Sequence, residues 1–157
     1  MSRFEPWSEE RTVEIIAQHK ALEGPLMPIL HALQHAFGHV PQETVPVIAR
    51  ELNLSRAEVH GVVTFYHDFR PELPGKHVLK LCRAEACQAM GCDSLVERAE
   101  SRLGVECGST SADGRVTLEA VYCLGLCATA PSAMIDGRVV GRLNENRLDE
   151  LLKEAQS

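Results

Sequence analysis

Residues 121–131 read Val-Tyr-Cys-Leu-Gly-Leu-Cys-Ala-Thr-Ala-Pro, so this stretch holds two cysteines, Cys123 and Cys127, with three residues between them. A second pair, Cys82 and Cys87, has four residues between its members. Each pair follows a segment whose pattern predicts a β-strand, so we expect four thiols where two strands run out into loops. Soft thiolates in sets of four are typical of zinc sites and iron–sulfur clusters.

The spacing within the two pairs favours an iron–sulfur cluster. Structural zinc usually binds tight pairs with only two intervening residues. A 2Fe–2S cluster spans more space and takes two thiolates on each iron, which suits wider loops. A zinc-stabilised interaction module and four buried reduced thiols stay open as alternatives. A thiol-disulfide oxidoreductase is disfavoured because the sequence has no Cys-x-x-Cys pair.

The charge of such a cluster sets a requirement on the loops that hold it. With four thiolates the oxidised cluster carries about −2, and about −3 after reduction. Backbone N–H groups must therefore point at the sulfur atoms. The small residues around the second pair permit that approach, and we expect Leu124 and Leu126 to screen the cluster from water.

Two further cysteines lie outside the pairs. Cys82, Cys87 and Cys92 are evenly spaced, so the spacing alone leaves open a ligand set that includes Cys92. Our preferred interpretation is that Cys92 begins a helix next to Gly91 as a free thiol. We interpret Cys107 as an unliganded thiol as well.

Three histidines recur every fourth residue, at His31, His35 and His39, and on a helix this spacing can build a metal-binding face. At 100° per residue, however, they project roughly opposite the apolar stripe of the same helix, and no carboxylate joins them. We therefore interpret them as part of a solvated helix face.

The first part of the chain is predicted to be helical. Ser8 is a candidate N-cap for a helix that runs to about residue 22, and residues 26–37 carry an apolar stripe. A third helix over 45–52 is expected to end at Asn53, and Ser55 with Glu58 forms a capping-box signature for a fourth, through residue 63. Because residues 70–75 have the composition of a linker, we expect a helical domain over 1–74 and a second domain over 75–157.

From His77 onward the spacing of apolar residues changes from that of helices to that of β-strands. Strands are expected over 77–82 and 116–121, and Asp136-Gly137 predicts a hairpin between 133–135 and 139–140. Helices are expected over 93–103 and after the candidate N-cap Asn144. The predicted order β-α-β-β-β-α indicates an α/β (α+β) fold: an N-terminal helical bundle, then a small domain whose helices pack on a mixed sheet.

Composition excludes several classes of function. The 157 residues are 45% hydrophobic and 24% charged, which is ordinary for a globular protein, and the net charge is −6. No basic stripe is present, so we expect no nucleic-acid binding. No apolar stretch is long enough for a membrane span, and the first residues do not have the basic-then-apolar pattern of a leader, so we expect no export. Six cysteines without a secretion signal suggest metal binding or redox chemistry in a reducing compartment, and we expect a cytoplasmic protein.

Several stretches taken together resemble one known family. Along the chain they are Gly24-Pro25-Leu26, Val63-Thr64-Phe65-Tyr66, the first cysteine pair, Asp113-Gly114, and the second pair with Pro131. Nearly the whole chain resembles the thioredoxin-like 2Fe–2S ferredoxins, a family that includes the small flavin-partner subunit of respiratory complex I. Within it, residues 82–91 and 121–131 are most similar to the gamma subunit of soluble, molybdenum-containing, NAD-dependent formate dehydrogenases.

The resemblance implies a function and a ligand set. Cys82, Cys87, Cys123 and Cys127 would hold one 2Fe–2S cluster, and the chain would serve as a non-catalytic subunit for electron transfer. Its direct partner would be a flavin- and NADH-binding subunit, in one complex with a molybdenum-containing formate dehydrogenase catalytic subunit. FMN, NAD and the molybdenum cofactor would lie on those partners. The equivalent subunit of complex I (NADH:quinone oxidoreductase) or of a NAD-reducing hydrogenase is the alternative.

Overall fold

Seven α-helices, five strands and one 3₁₀ turn follow one another along residues 4–157, the part of the chain that the computed structural model describes. The helices are α1 (Glu9–His19), α2 (Leu26–Phe37), α3 (Thr44–Leu52), α4 (Arg56–Phe65), α5 (Glu85–Ala89), α6 (Cys92–Leu103) and α7 (Glu145–Gln156). The strands are β1 (His77–Cys82), β2 (Ser109–Thr110), β3 (Val116–Val121), β4 (Ala133–Ile135) and β5 (Arg138–Val140), and the 3₁₀ turn is Cys127–Thr129. The chain divides into a helical unit that ends at Leu73 and a sheet unit that begins at Pro74.

The helical unit has its own apolar core, built from the faces that the sequence predicts. Four residues of the predicted α2 stripe are at most 1% exposed: Ile29, Leu30, Leu33 and Phe37. Two predicted caps are confirmed. The Ser8 hydroxyl accepts a hydrogen bond from the Arg11 N–H, and Ser55 and Glu58 form a reciprocal capping box.

Two helix ends differ from the prediction. Helix α1 ends at His19 rather than near residue 22, because its last buried residue is Ile16 and residues 20–24 are all exposed, so no packing holds them in the helix. Helix α4 continues to Phe65, two residues further than expected.

The sheet unit contains a mixed five-stranded sheet in the order β2-β3-β1-β4-β5. Strands β1 and β3 are parallel neighbours, and the other pairings are antiparallel. The predicted hairpin between β4 and β5 is confirmed, and both of its turn residues have positive φ, 48° at Asp136 and 88° at Gly137. The predicted α/β class with a mixed sheet is therefore confirmed.

Helices α6 and α7 contact each other and β1, and their apolar stripes form the core of the sheet unit. The predicted stripe of α7 is buried at Leu148, Leu151, Leu152 and Ala155.

Two elements were not predicted, and the observed order of strands and helices in the sheet unit is β-α-α-β-β-β-β-α. Strand β2 has only two residues, both exposed, and α5 only five, so neither is long enough to show a period.

Within residues 4–157, no helix has both the length and the apolar character needed to cross a membrane.

Candidate metal centre

The sheet places the two cysteine pairs side by side. Cys82 is the last residue of β1, and in the parallel pairing it lies opposite Val121, the last residue of β3. Both strands therefore end at the same edge of the sheet. The chain after β1 enters α5, which carries Cys87, and the chain after β3 carries Cys123 and reaches the 3₁₀ turn that begins at Cys127. Helix α5 contacts that turn, so the two loops meet.

The sulfur atoms approach one another in two pairs. The sulfur atoms of Cys123 and Cys127 are 3.5 Å apart. Two thiolates on one tetrahedral metal with bonds of about 2.3 Å are about 3.8 Å apart, so this pair has close to the separation that one metal ion requires. Cys82 and Cys87 pack together in one buried cluster.

The two cysteine pairs also differ in their exposure to solvent. Cys82 and Cys87, which we call the inner pair, are each 2% exposed. Cys123 and Cys127, the outer pair, are exposed. Leu124 packs against the buried cysteines, and Leu126 is half-buried. That these two leucines screen a cluster from water stays a prediction.

Electrostatics in the inner pair favour a thiolate at Cys82. Burial alone raises the pKa of this thiol, because a charged sulfur is poorly solvated there. Hydrogen bonds to its sulfur outweigh burial and hold the pKa below its ordinary value. The groups that make these bonds are the Ala84 N–H, the Cys87 thiol, the Cys123 N–H and the Ser132 hydroxyl.

The outer pair behaves differently. The hydrogen bond with Cys123 and the negative charge of that neighbour raise the pKa of Cys127, and the charges of the inner pair add to the effect. Four thiolates at one sheet edge repel one another unless cations lie between them, and a bound metal ion keeps its thiols deprotonated. The two thiol pairs therefore fit a cationic group in which each pair would hold a metal ion of its own.

The backbone of the second loop supplies the predicted N–H groups. The Gly125 N–H donates to the Cys123 sulfur at 3.4 Å. Gly125 has a φ of 76° and Cys123 a φ of 90°, and the latter lies in a region that residues with a side chain rarely adopt. Such strain at a non-glycine residue is typical of functional sites, where the surrounding structure holds it.

Cys92 and Cys107, the two cysteines outside the pairs, lie in the sheet unit as well. Cys92 is the first residue of α6 after Gly91, as predicted, and is 2% exposed against the inner pair. Burial and the neighbouring Asp93 raise the pKa of its thiol. Cys107 is half-buried against the core of the sheet unit, and burial likewise raises its pKa.

Residues 4–157 contain no group of three or more His, Cys, Asp or Glu side chains arranged to hold a single metal ion. His31 and His35 lie on α2, whereas His39 follows the end of that helix. The His31 ring packs on Phe69 with 5.0 Å between ring centroids, and the His39 ring bonds the Phe37 carbonyl. His35 is exposed.

One polar residue near the inner pair was not predicted from the sequence. Ser132 is 1% exposed, and its hydroxyl lies 3.6 Å from the Cys87 sulfur. The only local signal is its position, directly after the Ala-Pro that closes the cysteine loop and directly before the short apolar strand β4.

Two pairs of thiols at one edge of a mixed sheet form a donor set of the kind that holds zinc or an iron–sulfur cluster. Residues 12–156 match the model of the thioredoxin-like 2Fe–2S ferredoxin family, so this chain belongs to that family. The family assignment made from the sequence is thereby confirmed.

Curated relatives are similar over most of their length. The HndA subunit of the NADP-reducing hydrogenase of Solidesulfovibrio fructosivorans is 32% identical over 142 residues, which cover 90% of this chain and 83% of that protein. A subunit of the NADH-quinone oxidoreductase of Pseudomonas aeruginosa is 36% identical over 124 residues, covering 79% of this chain and 75% of the relative.

A solved structure is also similar. The crystal structure of a NAD⁺-reducing NiFe-hydrogenase in the H₂-reduced state superposes on 81% of this chain with a TM-score of 0.69 and 25% identity. This chain spans only 22% of that hydrogenase chain.

Proposed function

We propose that this chain holds one 2Fe–2S cluster on Cys82, Cys87, Cys123 and Cys127 and carries single electrons within a multi-subunit oxidoreductase that reacts with NAD(H) or NADP(H). The observation that carries the proposal is the arrangement of the cysteines: two pairs, one inner and one outer, at a single sheet edge. Membership of the 2Fe–2S family supports the same cofactor.

Each pair would hold one iron atom and has its own task. When bound, the cluster accepts and returns one electron at a time. Cys82 and Cys87 hold their side of the site away from water, because both are 2% exposed. Cys123 and Cys127 lie on the exposed side, where a partner that exchanges electrons can come close. The Gly125 N–H offsets negative charge on the Cys123 sulfur.

The partner that we propose is a flavin- and NADH-binding subunit. The curated relatives are named as subunits of an NADP-reducing hydrogenase and of NADH-quinone oxidoreductase. These names support a parent complex of the complex I or NAD(P)-reducing hydrogenase kind better than a formate dehydrogenase.

A NAD-dependent molybdenum formate dehydrogenase is the second candidate for the parent complex. It is favoured only by the similarity of residues 82–91 and 121–131 to the gamma subunits of such enzymes. In that complex, electrons from formate would pass from the molybdenum subunit to flavin and NAD.

Iron and sulfide analysis tests the cluster. The full chain, purified without oxygen, should contain about two iron atoms and about two acid-labile sulfides. After reduction with dithionite it should give the low-temperature electron paramagnetic resonance signal of one unpaired spin per cluster. Equimolar zinc without sulfide would overturn the proposal and favour the zinc-stabilised interaction module.

Co-purification tests the parent complex. A tagged chain isolated from its own cells should bring down a flavin subunit, identified by mass spectrometry and flavin fluorescence. The isolated complex is then assayed for NAD reduction with formate and with H₂, and for NADH oxidation with a quinone. The substrate that is turned over identifies the complex, and isolation of the chain without any flavoprotein would contradict the proposed partner.

A further inference from the structure

Ser132 is a buried hydroxyl aimed at the inner cysteine pair. Its side chain is 1% exposed, and Oγ lies 3.6 Å from the Cys87 sulfur. The Cys82 sulfur belongs to the same buried cluster as Cys87. A thiolate can only accept, so toward a ligating sulfur the hydroxyl donates.

The sheet fixes the position of this hydroxyl. The Cys82 N–H donates to the Ser132 carbonyl at 3.0 Å, and the next residue, Ala133, pairs with Leu81 in the β1–β4 ladder. Ser132 therefore continues the ladder beside the end of β1, and its side chain is not free to swing into solvent.

Burial makes the donor effective. Water reaches the outer pair but not the inner pair, so a hydroxyl dipole beside Cys82 and Cys87 is not screened by solvent. Reduction adds one negative charge to the cluster, and part of this charge resides on the sulfur atoms. A donor directed at sulfur thus stabilises the reduced form more than the oxidised form.

We infer that Ser132 is a positioning residue for the electron carrier, whose hydroxyl donates to the inner pair and raises the reduction potential of the cluster. The inference rests on the proposed function, because it requires a 2Fe–2S cluster on the four cysteines.

The test is the midpoint potential of the full chain, purified without oxygen and measured by a spectroelectrochemical titration. Ser132→Ala should make the reduction equilibrium about tenfold less favourable, which for one electron is a shift of about 59 mV to more negative potential. Ser132→Thr keeps a hydroxyl at the same position and should stay close to the wild-type potential.

Thr117→Val is the matched control. Thr117 is 6% exposed, and its hydroxyl accepts a hydrogen bond from the Gly75 N–H. It lies four residues before Val121 on β3, about 13 Å from the cysteine edge along the strand. Loss of this buried hydroxyl should lower the stability of the protein and leave the potential unchanged.

The outcomes separate the inference from the proposed function. Wild-type protein without iron and sulfide would overturn the proposed function itself. Wild type and Ser132→Ala with intact clusters and equal potentials would overturn the inference alone. Ser132→Ala could also lose the cluster altogether. If Ser132→Thr then keeps its cluster, the hydroxyl is what the site requires, which supports the inference. If both variants lose the cluster, side-chain packing at residue 132 is what matters, and the inference is overturned.

Discussion

Cys82 and Val121 lie directly opposite each other as the last residues of two parallel strands. The two loops that continue from them therefore leave the sheet at one edge, although they are separated by a helix and two strands along the chain. This pairing brings the thiols of distant segments together at one place in the fold.

Removal of an outer thiol should remove the cluster. If the proposed ligand set is right, Cys123→Ala and Cys127→Ala would each leave one iron with a single protein thiolate, and we expect loss of visible absorption and of iron. Because binding of the metal group is coupled to folding, the sheet unit should also unfold at a lower temperature. Cys107→Ala is the control and should keep its colour. Full absorption in both outer-pair variants would contradict the ligand assignment.

A Cys92 variant tests whether this cysteine belongs to the ligands of the cluster. It is 2% exposed and packs against the inner pair, so it is the cysteine outside the two pairs that lies nearest to them in the fold. We expect Cys92→Ala to retain iron and sulfide at wild-type levels and to lose about 1 kcal/mol of unfolding free energy through the small cavity it leaves. Cys87→Ala provides the contrast, with loss of iron. Iron loss in the Cys92 variant would place this residue among the ligands.

The capping box of α4 should affect stability without affecting the cluster. Ser55→Ala removes the hydrogen bond that the Glu58 N–H donates to the Ser55 hydroxyl, which typically costs about 1 kcal/mol. Urea unfolding followed by far-ultraviolet circular dichroism measures this loss. Ser55→Asp restores a capping oxygen and should recover most of it. A change in iron content in either variant would be contrary to expectation.

The division of the chain into domains over 1–74 and 75–157 is a proposal that proteolysis can test. Residues 71–73 are exposed and lie outside any helix or strand, so a glutamate-specific protease should cut first after Glu72. Both fragments should keep their secondary structure, because each unit has its own apolar core. Glu72→Gln should delay cleavage. A first cut inside a helix, or unfolding of either fragment, would refute the division.

Local chemistry explains which features could be predicted from the sequence. The capping box at Ser55, the Asp136-Gly137 turn and the buried face of α2 depend on residues that are neighbours in the chain, so their patterns are readable there. The thiol pairs were predictable for the same reason, since the spacing within each loop fixes how two sulfur atoms can approach.

The features that escaped prediction depend on distant segments. Ser132 reaches Cys87 across 45 positions of sequence, and only the pairing of β1 with β4 brings the two together. The five-residue α5 and the two-residue β2 are too short to carry a period, and they form because longer neighbours hold them. The exposure of the outer pair is likewise a property of the assembled sheet edge rather than of its residues.

The unequal shielding of the two cysteine pairs also determines how the isolated chain should deteriorate. Dioxygen, peroxide and chelators in solution reach Cys123 and Cys127 without any opening of the fold, whereas Cys82 and Cys87 are sealed behind packed side chains. Oxidative loss of the proposed cluster in air should therefore begin at the iron held by the outer pair. A partner subunit docked over Cys123 and Cys127 would slow this loss.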